Sequence, residues 1–315
     1  MLYAAKLLFK TIHTNRDVIS MTPSNASEKM ILVVGSTGDL GGQITRKLLS
    51  MKKSVRILVR PPSKYRPMVE AGAQPIIGDL KNRKSLDPAC KGVTTLITTA
   101  TSAKRGGEDT IQTVDLDGNQ NLIEAAKAAG VKQFIFVSTG IADPRSQIPL
   151  MAAKGITEDR LRASGMPYTI IAPEAFMQVW IAMIVGLPAV SGRAVAFVGT
   201  GQRKHSFISD TDVASFILAS IDNPKAINQK LILGGPEAMS IIDTVKVFER
   251  VVGHKISVQS VALGQPVPGF PDAMAQMIGG LDMYDFVVDM KELSKTFGVK
   301  LTSMEEFAKN CTALK

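Results

Sequence analysis

Residues 30–60 read MILVVGSTGDLGGQITRKLLSMKKSVRILVR. An apolar run over 30–34 enters a turn in which Gly35, Gly38 and Gly41 stand at G-x-x-G-x-x-G spacing. A helix-periodic segment follows, and then a second apolar run over 55–59 that ends in Arg60. The order is strand, glycine turn, helix, strand. Such a unit aims backbone N–H groups of a helix N-terminus at a dinucleotide pyrophosphate. Glycine serves the tight turn, the close approach of backbone to phosphate and the close packing of helix on strand. The spacing departs from the common G-x-G-x-x-G form, and three glycines alone would also suit a crossover without a ligand. The strand-like runs on both sides favour the nucleotide.

Arg60 then selects the nucleotide. NAD-binding units usually end their second strand in Asp or Glu, which accepts hydrogen bonds from the ribose. A carboxylate repels a 2′-phosphate, whereas a guanidinium binds it through two parallel charge-assisted bonds. Arg60, with Lys64 close behind it in sequence, therefore predicts NADP(H) over NAD(H). The alternative is that both are solvated loop charges.

Outward from this unit the pattern keeps alternating. Short apolar or β-branched runs at 74–77, 94–98, 133–137 and 168–171 are expected strands. Between them, 67–71, 84–90, 117–129 and 154–164 are expected helices, several stopped by glycine. Repeated βα units predict an α/β fold, a Rossmann-type doubly wound parallel sheet with right-handed crossovers. From about residue 173 the pattern loosens into a smaller C-terminal α/β region. Expected there are a helix over 176–187, a strand over 194–198, a helix over 212–221 capped by Asp210 or Thr211, a strand over 230–233 and a helix over 240–252 capped by Ser240. Residues 264–280, rich in Pro, Gly and Met, read as a segment folded over the pocket. Ser303 with Glu306 has capping-box spacing. The expected organisation is a poorly ordered extension (1–29), a nucleotide-binding domain (30–172) and a substrate region (173–315) interleaved with its sheet.

Composition sets bounds. The chain has 315 residues, 45% hydrophobic and 21% charged, with a net charge of +9. These values fit a globular protein with a sizeable core. Aromatic content is only 5% and no dense basic run carries interleaved aromatics, which argues against nucleic acid. The two cysteines, Cys90 and Cys311, belong to no C-x-x-C and read as reduced thiols. His13, His205 and His254 lack metal-ligand spacing, so no structural metal is expected. No stretch is long and apolar enough for a confident transmembrane helix. Residues 1–29 carry a basic excess; a tail on a cytoplasmic protein is the expectation, with an organelle signal as the alternative.

Further segments join the first in a specific order: VVGSTGDLGGQI, LVR, GDL at 78–80, VDLDGNQNLIEAAKAAGVKQFIFVSTG, KGITEDRLRASGMPYTIIAPEAFMQ, FISDTDVA and LILGGPEAMS. Together they resemble the NmrA-like branch of the atypical short-chain dehydrogenase/reductase superfamily over about residues 30–310. The resemblance implies roles. Gly35, Ser36, Thr37, Gly38, Asp39 and Leu40 would cradle the pyrophosphate, and Arg60 with Lys64 the 2′-phosphate. Asp79 and Leu80 would flank the adenine. Thr99, Ala100 and Thr101 would line the ribose side, and Pro173, Glu174 and Phe176 would border the nicotinamide.

One departure from the main superfamily is informative. Its Tyr-x-x-x-Lys acid is missing, because the residues four positions after Tyr3, Tyr65, Tyr168 and Tyr284 are Leu7, Val69, Ala172 and Val288. At the corresponding place stands Lys154, similar to the lysine of isoflavone reductase-like members. It would hold the nicotinamide ribose or donate a proton, its pKa lowered by burial. The alternative is a surface pair of Lys154 with Glu158 one helical turn on. Ser138 sits where the superfamily orients substrate. Trp180, on a stripe with Met177, Met183 and Ile184, would join Phe176 in an apolar substrate wall. Asp212 reads as structural.

Two functions follow. The first is an NADPH-dependent reductase of an apolar planar acceptor, a quinone or activated enone, which needs little acid catalysis. The second is a non-catalytic NADP(H) sensor acting through a protein partner. A homodimer is compatible with either.

Overall fold

The computed structural model describes residues 29–61, 63–103 and 105–313. The extension expected over 1–29 lies outside them except for Lys29, which pairs with Asp222 at 2.9 Å.

The first half alternates strictly: β1 (Met30–Val34), α1 (Asp39–Ser50), β2 (Val55–Val59), α2 (Arg66–Glu70), β3 (Gln74–Ile77), α3 (Arg83–Cys90), β4 (Val93–Thr98), α4 (Asp117–Ala128), β5 (Gln133–Val137), α5 (Pro149–Ala163) and β6 (Tyr168–Pro173). A π-helical turn over Ile111–Leu116 leads into α4. The second half runs through α6 (Leu187–Ser191), β7 (Val195–Val198), α7 (Asp210–Ser220), β8 (Gln229–Leu233), α8 (Ile241–Val252), β9 (Val258–Val261), α9 (Asp272–Gly280), α10 (Lys291–Phe297) and α11 (Met304–Thr312).

Seven strands form one parallel sheet in the order β3-β2-β1-β4-β5-β6-β8. The chain builds outward from β1 in one direction and from β4 in the other. The crevice beyond the carboxyl ends of β1 and β4 is thus the switch point where ligands of such sheets bind. Alternate residues feed opposite faces. Val33, Ile57, Ile97 and Ile135 pack with Ile44 and Leu48 of α1 and Phe216 of α7. Leu32, Leu96, Phe134 and Ile170 pack with Leu86 of α3 and Leu122 of α4. Burial on both faces is why these strands are mostly apolar, with Arg56 and the threonines of β4 as interruptions. A third core, with Ile184, Phe197, Phe248 and Phe307, belongs to the C-terminal region, where β7 pairs in parallel with β9. The chain nevertheless returns to the main sheet: α7 packs on α1, where Lys47 donates to Ser215 at 3.0 Å, and β8 extends the sheet beside β6. Cys90 and Cys311 are free thiols in separate cores.

Several boundaries differ from expectation. Helix α5 starts at Pro149 rather than 154, because proline's fixed φ and absent N–H suit a first turn. Ser209, not Asp210 or Thr211, caps α7; its hydroxyl accepts from Thr211 N at 3.2 Å. The single helix expected over 176–187 is instead a turn, a π-helical stretch over Ala182–Gly186 and the short α6. Pro188 lacks the N–H that would continue the ladder, so the helix changes register ahead of it. Residues 272–280, within the segment expected to fold over the pocket, form α9. Asp212 is structural: its carboxylate accepts from Thr302 N at 2.7 Å and Thr302 Oγ1 at 2.9 Å, tying the segment before α11 to α7.

Candidate functional site

The glycine turn connects β1 to α1 at the switch point. Gly35 has φ +86°, and a Cβ there would lie 2.6 Å from Thr99 Oγ1. A Cβ on Gly41 would lie 2.2 Å from the Gly35 carbonyl oxygen. Both positions therefore demand glycine. Gly38 N donates to Gly35 O at 3.0 Å and Gly42 N to Gly38 O at 2.8 Å. The N-cap of α1 is Gly38, and no side chain caps the first-turn N–H groups. Thr37, Gly38 and Asp39 are exposed, so this helix end, with its positive dipole, opens to the crevice. Beneath it the Ser36 hydroxyl is fully buried and has no hydrogen-bond partner. Thr99, Ala100 and Thr101 follow β4 on the other wall, with Thr99 N donating to Val34 O at 3.0 Å. A glycine cradle, an uncapped helix end and an unpartnered hydroxyl fit a pyrophosphate.

Beside it lies a cluster of charges. Arg60 follows β2, while Asp79, Leu80 and Lys81 follow β3. Asp109, on the loop after β4, receives Lys81 at 2.5 Å, Arg60 at 2.7 Å and Arg105 at 3.3 Å. Asp79 stands 3.7 Å from Arg60 and 3.6 Å from Lys81, and its Oδ1 accepts from Lys81 N at 2.9 Å. Burial would raise the Asp109 pKa, but hydrogen bonds from Lys81, Arg60 and Arg105 outweigh it and hold the group at about 2. Leu80 is buried against Gly118, and its carbonyl accepts from Asn121 at 2.9 Å. Lys64 is exposed. Sequence reasoning identified Arg60 and Asp79 and missed Lys81, Arg105 and Asp109. The one local signal was Lys81 directly after Gly78-Asp79-Leu80.

At the end of β5, Lys154 of α5 donates to Val137 O at 3.0 Å, with its ammonium 5.3 Å from the centre of the Phe136 ring. Burial lowers its pKa, and the negative charges of Asp115 and Glu158 oppose that shift. Glu158 is not the surface partner that the helical spacing allows. Its side chain is buried and accepts from Ser138 Oγ at 2.5 Å, Arg162 at 2.9 Å and Lys230 at 2.9 Å. Asp115, also missed, sits in the π-helical turn. Its Oδ2 accepts from Ser102 N at 2.9 Å and Ser102 Oγ at 2.6 Å, while its buried Oδ1 has no hydrogen-bond partner. The lysine amine thus sits in a partly buried slot, within the electrostatic reach of two carboxylates.

Past β6, Pro173 O accepts from Gly140 N at 2.9 Å. The Glu174 side chain turns to His205, whose Nδ1 lies 2.8 Å from Glu174 Oε1 and whose Nε2 lies 2.8 Å from Leu281 O. Tyr284 meets the imidazole edge-on, and the Phe286 ring occupies the space a side chain at Gly140 would fill. The segment 281–290 therefore covers the loop after β5. Phe176 bridges to Ile208 and packs into the sheet core, whereas Trp180 packs into the C-terminal core. The two aromatics expected to share one wall thus belong to different cores.

Among the described residues no helix is long and apolar enough to cross a membrane. The NmrA-like family profile matches residues 27–310. A photosystem II assembly factor, Ycf39, of Cyanophora paradoxa is 36% identical over 233 residues, covering 74% of this chain and 72% of its own. An NAD(P)H azoreductase of Xenophilus azovorans is 29% identical over 292 residues, covering 89% and 97%. The crystal structure of an NADPH-dependent quinone oxidoreductase of Escherichia coli, complexed with NADPH, superposes with a TM-score of 0.74 at 24% identity over 89% of this chain and 99% of that one. With its seven-stranded parallel sheet and glycine turn, the chain belongs to the NmrA-like family.

Proposed function

We propose that the protein binds NADP(H) and reduces an apolar planar acceptor, a quinone or an activated enone. One observation carries this reading. The uncapped glycine turn, the cations at the ends of β2 and β3, and Lys154 and Ser138 at the end of β5 all lie along the same carboxyl edge of the sheet. In this reading Gly35 to Leu40 hold the pyrophosphate, Arg60 and Lys64 the 2′-phosphate, and Asp79 and Leu80 the adenine side. Thr99, Ala100 and Thr101 line the ribose, and Pro173, Glu174 and Phe176 bound the far end. NADPH supplies the hydride. Lys154 holds the ribose at the reacting end and keeps a proton at Nζ, and Ser138, anchored by Glu158, turns its lone pairs toward the acceptor. The absent Tyr-x-x-x-Lys suits an acceptor whose reduced anion takes its proton from water. The names of the azoreductase and quinone oxidoreductase relatives support the same class.

Purified protein is to be assayed for NADPH oxidation against a panel of quinones and conjugated enones, with Lys154→Ala in parallel. Turnover above background, lowered in the variant, is expected. Tight NADPH binding with no acceptor turned over overturns the reductase. It would favour a second reading, a non-catalytic NADP(H) sensor acting on a protein partner. The identity shared with a photosystem II assembly factor supports that reading, and an organelle signal in residues 1–29 would accompany it.

A further inference from the structure

Asp109 reaches its partners from an unexpected direction. Arg60 and Lys81 follow β2 and β3, on one side of β1, whereas Asp109 belongs to the loop after β4, on the other side. To pair with them the loop must pass over the mouth of the crevice at the end of β1. Its two feet are fixed. Ser102 is bound to Asp115 through N and Oγ, and Thr110 and Thr113 bond each other reciprocally at 2.9 and 3.1 Å. Its tip is loosely packed. Gly106 and Gly107 have open space where a side chain would stand, and the described residues over 103–108 are exposed. The strap is thus held down by the charge pairs of Asp109, a single carboxylate shared among Arg60, Lys81 and Arg105.

We propose that Asp109 is an internal stand-in for the nucleotide 2′-phosphate and a specificity-determining residue: the phosphate displaces it from Arg60 and Lys81 and releases the strap. This rests on the NADP(H) reading above. A phosphate carries close to two negative charges and three acceptor oxygens, so it outcompetes a monoanion for a guanidinium–ammonium pair. A nucleotide without the 2′-phosphate has no group with which to displace Asp109, so the strap stays pinned. Because only the phosphorylated ribose has to displace it, the carboxylate tempers the preference for that ribose and leaves binding of the unphosphorylated one nearly unchanged.

The test uses adenosine 2′,5′-bisphosphate and 5′-AMP as probes, titrated calorimetrically into the full chain and into Asp109→Asn. The variant removes the competing charge at nearly constant shape. It is expected to bind the bisphosphate about tenfold more tightly while AMP changes less than about twofold. In the wild-type chain the bisphosphate, and not AMP, is expected to speed amide hydrogen exchange over 103–109, a readout that needs no variant. Weaker or unchanged bisphosphate binding by Asp109→Asn overturns the proposal, as does exchange that both probes slow alike. Those results leave the NADP(H) reading standing. Failure of either probe and of NADPH to bind either protein overturns both.

Discussion

His205 is buried with both ring nitrogens facing acceptors, Nδ1 at 2.8 Å from the Glu174 carboxylate and Nε2 at 2.8 Å from the Leu281 carbonyl. A neutral imidazole has one N–H, so it satisfies only one of these; the imidazolium satisfies both. The ion pair also locks the end of β6 to the segment that covers the loop after β5.

This pairing has a pH signature. Burial lowers the His205 pKa, but the Glu174 hydrogen bond and the Leu281 carbonyl outweigh it, so the folded value lies above 6.5. A raised folded pKa means that the stabilisation is complete below the unfolded pKa and disappears as pH rises through the folded one. Thermal melts between about pH 6 and about pH 9 are expected to show falling stability over that window, and His205→Gln to flatten the fall. An unchanged slope in the variant would assign the pH dependence elsewhere.

The glycine turn gives a steric prediction. A methyl group on Gly41 would overlap the Gly35 carbonyl at 2.2 Å, and neither backbone segment has slack. Gly41→Ala is expected to cost on the order of 2–4 kcal/mol in urea denaturation and to abolish nucleotide binding. Gly106→Ala, where a Cβ meets nothing within 4 Å and φ is ordinary, serves as the control and should stay within about 0.5 kcal/mol. Comparable losses in the two variants would contradict the cradle.

The amine and the carboxylate one turn apart on α5 have opposite expectations. Lys154 is half-buried and its ammonium donates to one carbonyl, so Lys154→Met should leave stability within about 1 kcal/mol of wild type. NADPH binding should nonetheless weaken about tenfold, the loss of one charged hydrogen bond. Glu158 instead gathers Ser138, Arg162 and Lys230. Both cations are partly exposed, which screens them, so Glu158→Ala should cost about 2 kcal/mol rather than the full penalty for a broken buried pair. A Lys154→Met protein that unfolds, or a Glu158→Ala protein as stable as wild type, would reverse these roles.

What the sequence made legible was local chemistry. Gly35 and Gly41 announce themselves because no other residue fits their space, and β1, β2, β4, β5 and β6 because a doubly covered strand must be largely apolar or β-branched. The α7 cap was misplaced by one or two residues because Ser209, Asp210, Thr211 and Asp212 are all competent caps, and only tertiary contact reserved Asp212 for Thr302. The charge cluster was only half visible. Arg60 and Asp79 sit at strand ends, where motif reasoning looks, whereas Asp109 joins them only because a loop crosses the sheet edge. Glu174 and His205 are 31 residues apart, and no spacing rule connects them.

Arg60 offers the sharpest separation of nucleotides. Its guanidinium is partly exposed and held by Asp109 at 2.7 Å, presented at the end of β2 where the ribose of a nucleotide in the glycine turn would lie. A 2′-phosphate gains charge-assisted bonds there that an unphosphorylated ribose cannot make. Arg60→Ala should therefore weaken NADPH by roughly ten- to a hundredfold, the loss of about 1.5–3 kcal/mol, and NADH by less than about threefold. Fluorescence titration of both nucleotides against both proteins reads the difference directly. An equal loss for NADPH and NADH would mean that Arg60 supports the fold of the crevice, through its pair with Asp109, rather than the phosphate.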